Sequence, residues 1–300
     1  MLQEQKRINP AIKFLFPFYP IKISRSTRLL LFIAVMIALK LILSIIAIPI
    51  PAFGITISIS WVPVMLLGWY FGPILGFFLG MVTDTLGYLC FPSGLWFWMY
   101  AIQEPCVAMI GGIFAGISNI RVNKEKANLW IDVLITQIVY FSFAITCYVV
   151  LIIWVANPET QFENDDEASK TFYNIYKWVA FGLVTIFMFI VEFLTFYKFK
   201  EKKKNPKKLT IALYANCIVV LSMVIFSFLL GPITTVNYFN YMGFNLPPGY
   251  LEYGSIFYLI PRVAVQCIKV PIECAALSAI VFCLEPGIKQ MMSHINNQWK

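Results

Sequence analysis

Residues 29–48 read LLLFIAVMIALKLILSIIAI, an almost unbroken apolar run whose one charged residue is Lys40. A helix needs about 20 mostly apolar residues to cross the hydrocarbon core of a bilayer. This run meets that requirement and ends at Pro49 and Pro51. Further apolar segments follow at 61–71, 74–90, 97–117, 131–156, 175–197, 209–230 and 255–284. Gly231 and Pro232 are expected to open a polar, aromatic loop between the last two. The sequence therefore predicts an all-α polytopic integral membrane protein with about eight spans.

Composition and charge distribution support a membrane protein. Of the 300 residues 60% are hydrophobic and 13% are charged, whereas soluble domains carry about 25% charged residues. The net charge of +8 does not indicate a nucleic-acid partner, because most Lys and Arg fall at 1–28, 119–129, 198–208 and 285–300. Basic loops stay in the cytoplasm, and the acidic loop 157–174 then falls outside. This pattern predicts that both termini are cytoplasmic.

The sequence offers no pattern for catalysis, metal binding or a cofactor. Its seven Cys form no CxxC pair and lie in or beside apolar segments, where Cys behaves as a small hydrophobe. The sole histidine, His294, lies in the C-terminal tail. There is no Walker A motif, so any energy from ATP must come from a partner protein. We therefore expect a non-enzyme that contains no metal and no cofactor.

Polar residues in the last apolar segment fall on one helical face. Arg262, Gln266, Lys269 and Glu273 are spaced 4, 3 and 4 residues apart, which aligns them. Charges are costly in lipid, so this face should point into the protein. Lys269 and Glu273 can neutralise each other, which leaves Arg262 as a candidate anchor for an anionic ligand, since guanidinium pairs with carboxylate. The alternative is that Arg262 pairs internally with Glu104 or Glu252.

Two further groups of residues are candidates for a pocket or for structural pairs. Lys40 and Asp84 are predicted to form an ion pair that holds two helices together, with a ligand contact as the alternative. Glu192 is expected near the inner surface. A pocket needs apolar walls and a few polar groups, and the predicted set is Trp96, Phe97, Trp98, Gln103 and Glu104. For the aromatic residues, an interfacial belt is the competing interpretation.

The order of these motifs resembles that of the substrate-binding S components of energy-coupling factor (ECF) vitamin transporters, especially the folate family. The matching features are Ala34 and Ala38 on the first helix, the IPIP…G…ISIS loop at 48–60, and VPVMLLGWYFGPILGFFLG at 62–80. They continue with Asp84, FPSG at 91–94 and PRVAVQCIKVPIE at 261–273. The resemblance implies a six-helix subunit that binds a vitamin near the outer face. It also implies a transmembrane coupling (T) subunit, contacted by Ala34 and Ala38, and two cytoplasmic ATPase subunits.

Eight predicted spans exceed the six of that family, and an inserted transmembrane hairpin explains the difference. The expected organisation is a basic, interfacial N-terminus at 1–28, four core helices at 29–130 and the inserted hairpin at 131–198. Two further core helices at 199–284 and a cytoplasmic tail at 285–300 complete it. Glycine pairs at 76 and 80 and at 112 and 116 are expected to pack helices closely.

The favoured function is the binding subunit of an importer for folate or a reduced folate in a bacterial cell membrane. Arg262 would anchor a carboxylate of the cargo, with Gln266 as a further candidate contact, and residues 96–98 would contact its ring. Glu104 could accept hydrogen bonds from the amino and ring N–H groups of a pterin. The alternatives are an S component for riboflavin or pantothenate, a stand-alone carrier, and an integral-membrane enzyme. The last would need a metal-binding carboxylate cluster, and Asp165 and Asp166 lie instead in the acidic loop.

Overall fold

The computed structural model describes residues 10–17, 26–50, 55–92, 95–122, 129–156, 167–200, 206–243 and 256–298. Its elements, in chain order, are α1 (Pro10–Leu15), α2 (Thr27–Ile45), β1 (Ile48–Ile50), β2 (Ile55–Ile57), α3 (Trp61–Phe71), α4 (Pro73–Cys90), α5 (Trp98–Ala101), α6 (Gln103–Val122), α7 (Leu129–Ala156), α8 (Glu167–Lys200), α9 (Pro206–Ser222), a π-helical segment (Met223–Leu229), α10 (Leu230–Met242) and α11 (Ile256–Gln298). Glu252, the four acidic residues at 159–166, and most residues of the basic loops lie outside the described residues.

The predicted all-α polytopic membrane fold is confirmed. Six stretches of the described chain are long and apolar enough to cross a bilayer: Thr27–Ile45, Pro73–Cys90, Trp98–Val122, Leu129–Ile153, Lys207–Met242 and Val265–Ile288. Two more apolar helical stretches, Trp61–Phe71 and Trp178–Phe193, are shorter. The predicted extended loop after α2 forms a small antiparallel ribbon, in which β1 pairs with β2 through Ile48 and Ile57.

Helices α3, α4 and α6 form the tightly packed centre of the molecule. Close approach depends on glycine. A Cβ atom on Gly80 of α4 would lie 2.6 Å from Pro105 Cα in α6, and one on Gly112 of α6 would collide with the backbone at Pro73. The predicted packing role of these glycines is confirmed, because backbones touch where a side chain would separate them. The contact of α4 with the start of α6 fixes the geometry of the site described below.

Helices α7 and α8 cover most of residues 131–198, and they pack differently. Helix α7 joins the interior: Asp132 is 1% exposed, and its Oδ1 lies 2.7 Å from Arg121 Nε of α6. The Tyr214 hydroxyl of α9 donates a hydrogen bond to the same oxygen at 2.8 Å. Helix α8 packs mainly against α7 and α11. Its Glu192 accepts a hydrogen bond from Gln137 of α7 at 3.0 Å.

The structure corrects two predicted boundaries. Gly231 and Pro232 do not open a loop; the chain stays helical to Met242. The wide π turn at Met223–Leu229 directly precedes Pro232 and accommodates a residue that an unbroken α-helix tolerates poorly. Likewise, the predicted tail at 285–300 continues α11 as far as Gln298.

Candidate functional site

A cavity of about 730 Å³ lies where α2 and α4 end and α6 begins. This volume is within the range of small-molecule sites, roughly 300–1,000 Å³. Its base carries the charged side chains of Lys40, Asp84 and Glu104. Six aromatic residues form most of its walls: Tyr88, Phe91, Trp96, Phe97, Tyr100 and Tyr238. A charged base under aromatic walls is suited to holding a flat, polar-edged molecule.

Lys40 pairs with Glu104, and not with Asp84 as the sequence predicted. Lys40 Nζ lies 2.9 Å from Glu104 Oε1 and donates a second hydrogen bond to the Thr83 carbonyl at 3.2 Å. The other carboxylate oxygen, Glu104 Oε2, accepts from the Thr83 hydroxyl at 3.1 Å. Lys40 and Glu104 are both buried. The prediction was wrong because the rotation and depth of each helix decide the partner.

Asp84 faces the same cavity without a hydrogen bond or ion pair to the described part of the chain. It lies within electrostatic reach of both Lys40 and Glu104. Gly87, one turn further along α4, leaves the space that Lys40 occupies, because a Cβ atom there would lie 2.5 Å from Lys40 Nζ. The face of α4 that carries Asp84 and Gly87 is thus shaped around the lysine.

A cluster of aromatic rings from α5 and α10 closes one side of the cavity. The Phe97 ring centroid lies 5.4 Å from that of Tyr241 and 5.8 Å from that of Tyr238. Two polar contacts reinforce the cluster. The Tyr238 hydroxyl accepts from the Leu95 backbone N–H at 3.2 Å, and the hydroxyls of Tyr100 and Thr235 lie 3.4 Å apart. This wall joins the segment before α6 to a helix over a hundred residues later.

Arg262 lies behind this wall and does not line the cavity. Its Nη2 donates to the Thr235 hydroxyl at 3.1 Å, and its Nη1 donates to the Ser227 carbonyl at 3.3 Å. Its buried Nε has no hydrogen-bond partner among the described residues. Gly231 leaves room for the guanidinium, since any side chain there would collide with Nη1. Thr235 therefore connects Arg262 to Tyr100 on the cavity wall.

The other polar residues of α11 also point inward and pack against neighbouring helices. Gln266 Nε2 donates to the Ser227 hydroxyl at 2.9 Å. Lys269 Nζ lies 3.4 Å from Glu273 Oε1 and 5.1 Å from the centre of the Trp61 ring. The predicted pair of Lys269 and Glu273 is present. Ser227 of the π-helical segment supplies the carbonyl that accepts from Arg262 and the hydroxyl that accepts from Gln266.

The structure divides the predicted pocket residues into two groups. Trp96, Phe97 and Glu104 line the cavity, together with Asp84 and Lys40, which had been assigned to a structural pair. Trp98, Gln103, Arg262 and Gln266 are not among the lining residues. Tyr88 also lines the cavity and was not predicted to do so. Tyr238, an outer aromatic residue left out of the predicted set, lies in a segment predicted to be a loop.

Ala34 and Ala38 both lie on the exposed surface of α2. Exposed apolar side chains accompany them on this helix: Leu30, Leu31, Val35, Ile42 and Ile45. Helix α2 is the least buried of the six candidate spans. It therefore presents an apolar surface.

Within the described residues no group of three or more His, Cys, Asp or Glu side chains could hold a metal ion.

Residues 28–199 match the family that is described as ECF transporter, substrate-specific component. The chain is also similar to a folate transporter, FolT, of Clostridium novyi, with 26% identity over 134 residues, which cover 40% of this chain and 77% of that protein.

Two relatives match over nearly the whole chain. The uncharacterized protein MG313 of Mycoplasma genitalium is 30% identical, and its homologue in Mycoplasma pneumoniae is 28% identical. Each match covers 95% of this chain and 100% of the relative. No solved structure matches.

Proposed function

The chain belongs to the family of substrate-specific components of ECF transporters, and we propose that it binds folate or a reduced folate for import. Proteins of this family are vitamin-binding subunits of transporters, and the chain is therefore not an enzyme. The observation that carries the choice of site is the cavity with aromatic walls and a charged base. The choice of cargo is supported by the similarity to a folate transporter over 134 residues.

The cavity suits one part of such a cargo and Arg262 suits the other. A flat ring system would stack on the aromatic walls around Phe97 and Tyr238. Arg262 lies behind the wall, so a carboxylate would reach it only where Tyr100 and Thr235 give way. Arg262 makes no ion pair with the described residues and has an unpartnered Nε. Glu104 was the alternative partner for Arg262, but it forms an ion pair with Lys40. Gln266 is the neighbouring polar group on α11 and would support the same end of the ligand.

The proposed partners are a transmembrane coupling subunit and two cytoplasmic ATPase subunits, as is general in this family. Ala34 and Ala38 would contact the coupling subunit. Small exposed side chains let two helices approach closely in lipid, where packing drives association. The exposed, weakly buried surface of α2 supports this assignment.

The proposed location is a bacterial cell membrane, with both termini in the cytoplasm. The basic segments around 119–129 and 198–208 adjoin the ends of α6 and α8 that are remote from the cavity. Under the positive-inside rule those ends are cytoplasmic, and the cavity then opens toward the outer face. An importer requires this orientation before it takes up its cargo.

We further propose that residues 131–198 are an addition to the core helices at 29–130 and 199–284. The peripheral packing of α8 supports this division. Helix α7 supports it less, since Asp132 is bonded to both Arg121 and Tyr214. Deletion of residues 131–198 as a whole keeps the orientation of α9 to α11, and the shortened chain should still bind ligand, whereas loss of binding would place part of this segment in the core.

Ligand binding by the purified protein tests the function. We expect tight binding of folate or 5-formyltetrahydrofolate without ATP, measured by calorimetry against riboflavin, pantothenate and thiamine. Failure to bind any of the five would overturn the proposal. Binding of riboflavin or pantothenate alone would assign a different vitamin. Uptake into liposomes without any ATPase would identify a stand-alone carrier, and co-purification of a coupling subunit with ATPases would support the importer.

A further inference from the structure

We infer that the cavity selects a ring with an aminopyrimidine edge and that Asp84 is the residue that recognises this edge. This inference rests on the proposed function, because it names the chemical class of cargo that the same site accepts. The sequence suggested Glu104 for this recognition role, whereas Asp84 was predicted to form a structural pair with Lys40.

Hydrogen bonding distinguishes the two carboxylates at the base of the cavity. Glu104 uses one oxygen for Lys40 Nζ at 2.9 Å and the other for the Thr83 hydroxyl at 3.1 Å. Asp84 has no such partner in the described chain, although it lines the cavity. A carboxylate retains its acceptor capacity for a ligand only where the protein has not used it. Each Glu104 oxygen thus already has one protein partner, whereas both oxygens of Asp84 are open to a ligand.

The pairing of the charged groups at the base of the cavity also favours Asp84. The lining carries one ammonium group, on Lys40, and two carboxyl groups, on Asp84 and Glu104. Lys40 and Glu104 form the close ion pair, so Asp84 is the carboxyl group without an ion-pair partner in the described chain. Charged groups within a spanning helix are costly and face a cavity or a partner. The ligand group that reaches Asp84 should therefore bring hydrogen-bond donors.

An aminopyrimidine ring supplies those donors in the required arrangement. In a pterin, the exocyclic amino group and the adjacent ring N–H point in the same direction. They can donate two parallel hydrogen bonds to one carboxylate, as guanidinium does. Lys40 Nζ has three donors, of which two are directed at Thr83 and Glu104. The third can reach a ring carbonyl oxygen beside the amino edge.

The same geometry argues against two other vitamins. The pyrimidine edge of riboflavin has a single N–H between two carbonyl oxygens, and those oxygens would face the acceptor atoms of Asp84. Pantothenate has no ring to stack on the aromatic walls. Asp84 thus provides a physical basis for rejecting riboflavin, since a mismatched polar group is left without its partner, and the aromatic walls provide one for rejecting pantothenate.

A matched pair of ligands tests this inference. Folate is compared with its 2-oxo counterpart, in which an oxygen replaces the amino group of the pyrimidine. We expect the wild-type protein to prefer folate at least tenfold in Kd. The Asp84→Asn variant should lose this preference, so that the two ligands bind within about twofold of each other. Glu192→Gln is the control, because it neutralises a membrane carboxylate on α8, away from the cavity.

The outcomes separate the inference from the proposed function. Equal binding of both ligands by the wild-type protein, or a preserved preference in Asp84→Asn, overturns the role of Asp84 and leaves folate import standing. Preference for riboflavin or pantothenate overturns the ring class but not the family function. Absence of binding by any vitamin overturns the proposed function itself. If Asp84→Asn does not fold, Asp84→Ser is measured in its place, and a preference preserved in that variant overturns the role of Asp84.

Discussion

Lys40 Nζ and Glu104 Oε1 lie 2.9 Å apart and join α2 to α6 in the interior of the molecule. Thr83 of α4 bonds to both residues, through its carbonyl and its hydroxyl. Three spanning helices therefore meet at one polar cluster. Because this cluster is also the base of the cavity, the stability of the fold and the shape of the site depend on the same residues.

Breaking this ion pair should destabilise the protein. Lys40→Met leaves a buried carboxylate without its cation, and loss of one partner of a buried pair costs about 3–5 kcal/mol. We expect a clear fall in the midpoint of thermal unfolding in detergent. The double variant Lys40→Met with Glu104→Gln should recover part of the loss, because no unpaired charge then remains. An additive effect of the two changes would contradict a direct pairing.

A single methyl group at position 87 should impair the site. The added Cβ of Gly87→Ala would lie 2.5 Å from Lys40 Nζ and would displace the ammonium. We expect ligand affinity to fall by roughly tenfold, which corresponds to about 1.4 kcal/mol. Gly182→Ala is the matched control, since no described atom lies within 4 Å of its new Cβ. Equal affinities in the two variants would show that the position of Lys40 does not affect binding.

Arg262→Ala should weaken the binding of cargo that carries a carboxylate. Loss of hydrogen bonds to a charged group costs about 1.5–3 kcal/mol, so folate should bind roughly ten- to a hundredfold more weakly. Pterin has the same ring without the carboxylate-bearing tail, and its affinity should not change. Calorimetry with both ligands measures the difference. A parallel loss for pterin would indicate that Arg262 holds the wall through Thr235 and does not touch the cargo.

Large side chains on the exposed surface of α2 should disrupt assembly and leave ligand binding intact. Ala34→Trp and Ala38→Trp place bulk on positions that are exposed in the isolated chain. Co-purification with the coupling subunit and vitamin uptake by cells should be lost, while affinity for ligand stays unchanged. Val82→Trp adds the same bulk to the exposed surface of α4 and serves as the control. Normal uptake by the α2 variants would exclude this surface as the docking site.

Sequence alone was sufficient for the membrane fold and for the row of polar residues on α11. Both follow from one-dimensional rules: a span needs a minimum apolar length, and residues at intervals of three and four share a helical face. The interior position of Gln266, Lys269 and Glu273 agrees with the expected cost of exposing them to lipid. Close helix packing at the glycine pairs was likewise predicted, and the structure shows that it joins α4 to α6.

The cavity itself was decided by tertiary structure. Sequence cannot tell which carboxylate meets Lys40, because Asp84 and Glu104 lie on different helices whose rotation and relative depth are set by packing. Nor does it indicate that the helix continues through Pro232, because proline is ordinarily disfavoured in a helix interior. That continuation brings Tyr238 to the cavity wall and Thr235 against Tyr100. Helix periodicity is local, whereas a binding site is made of contacts between helices distant in the chain.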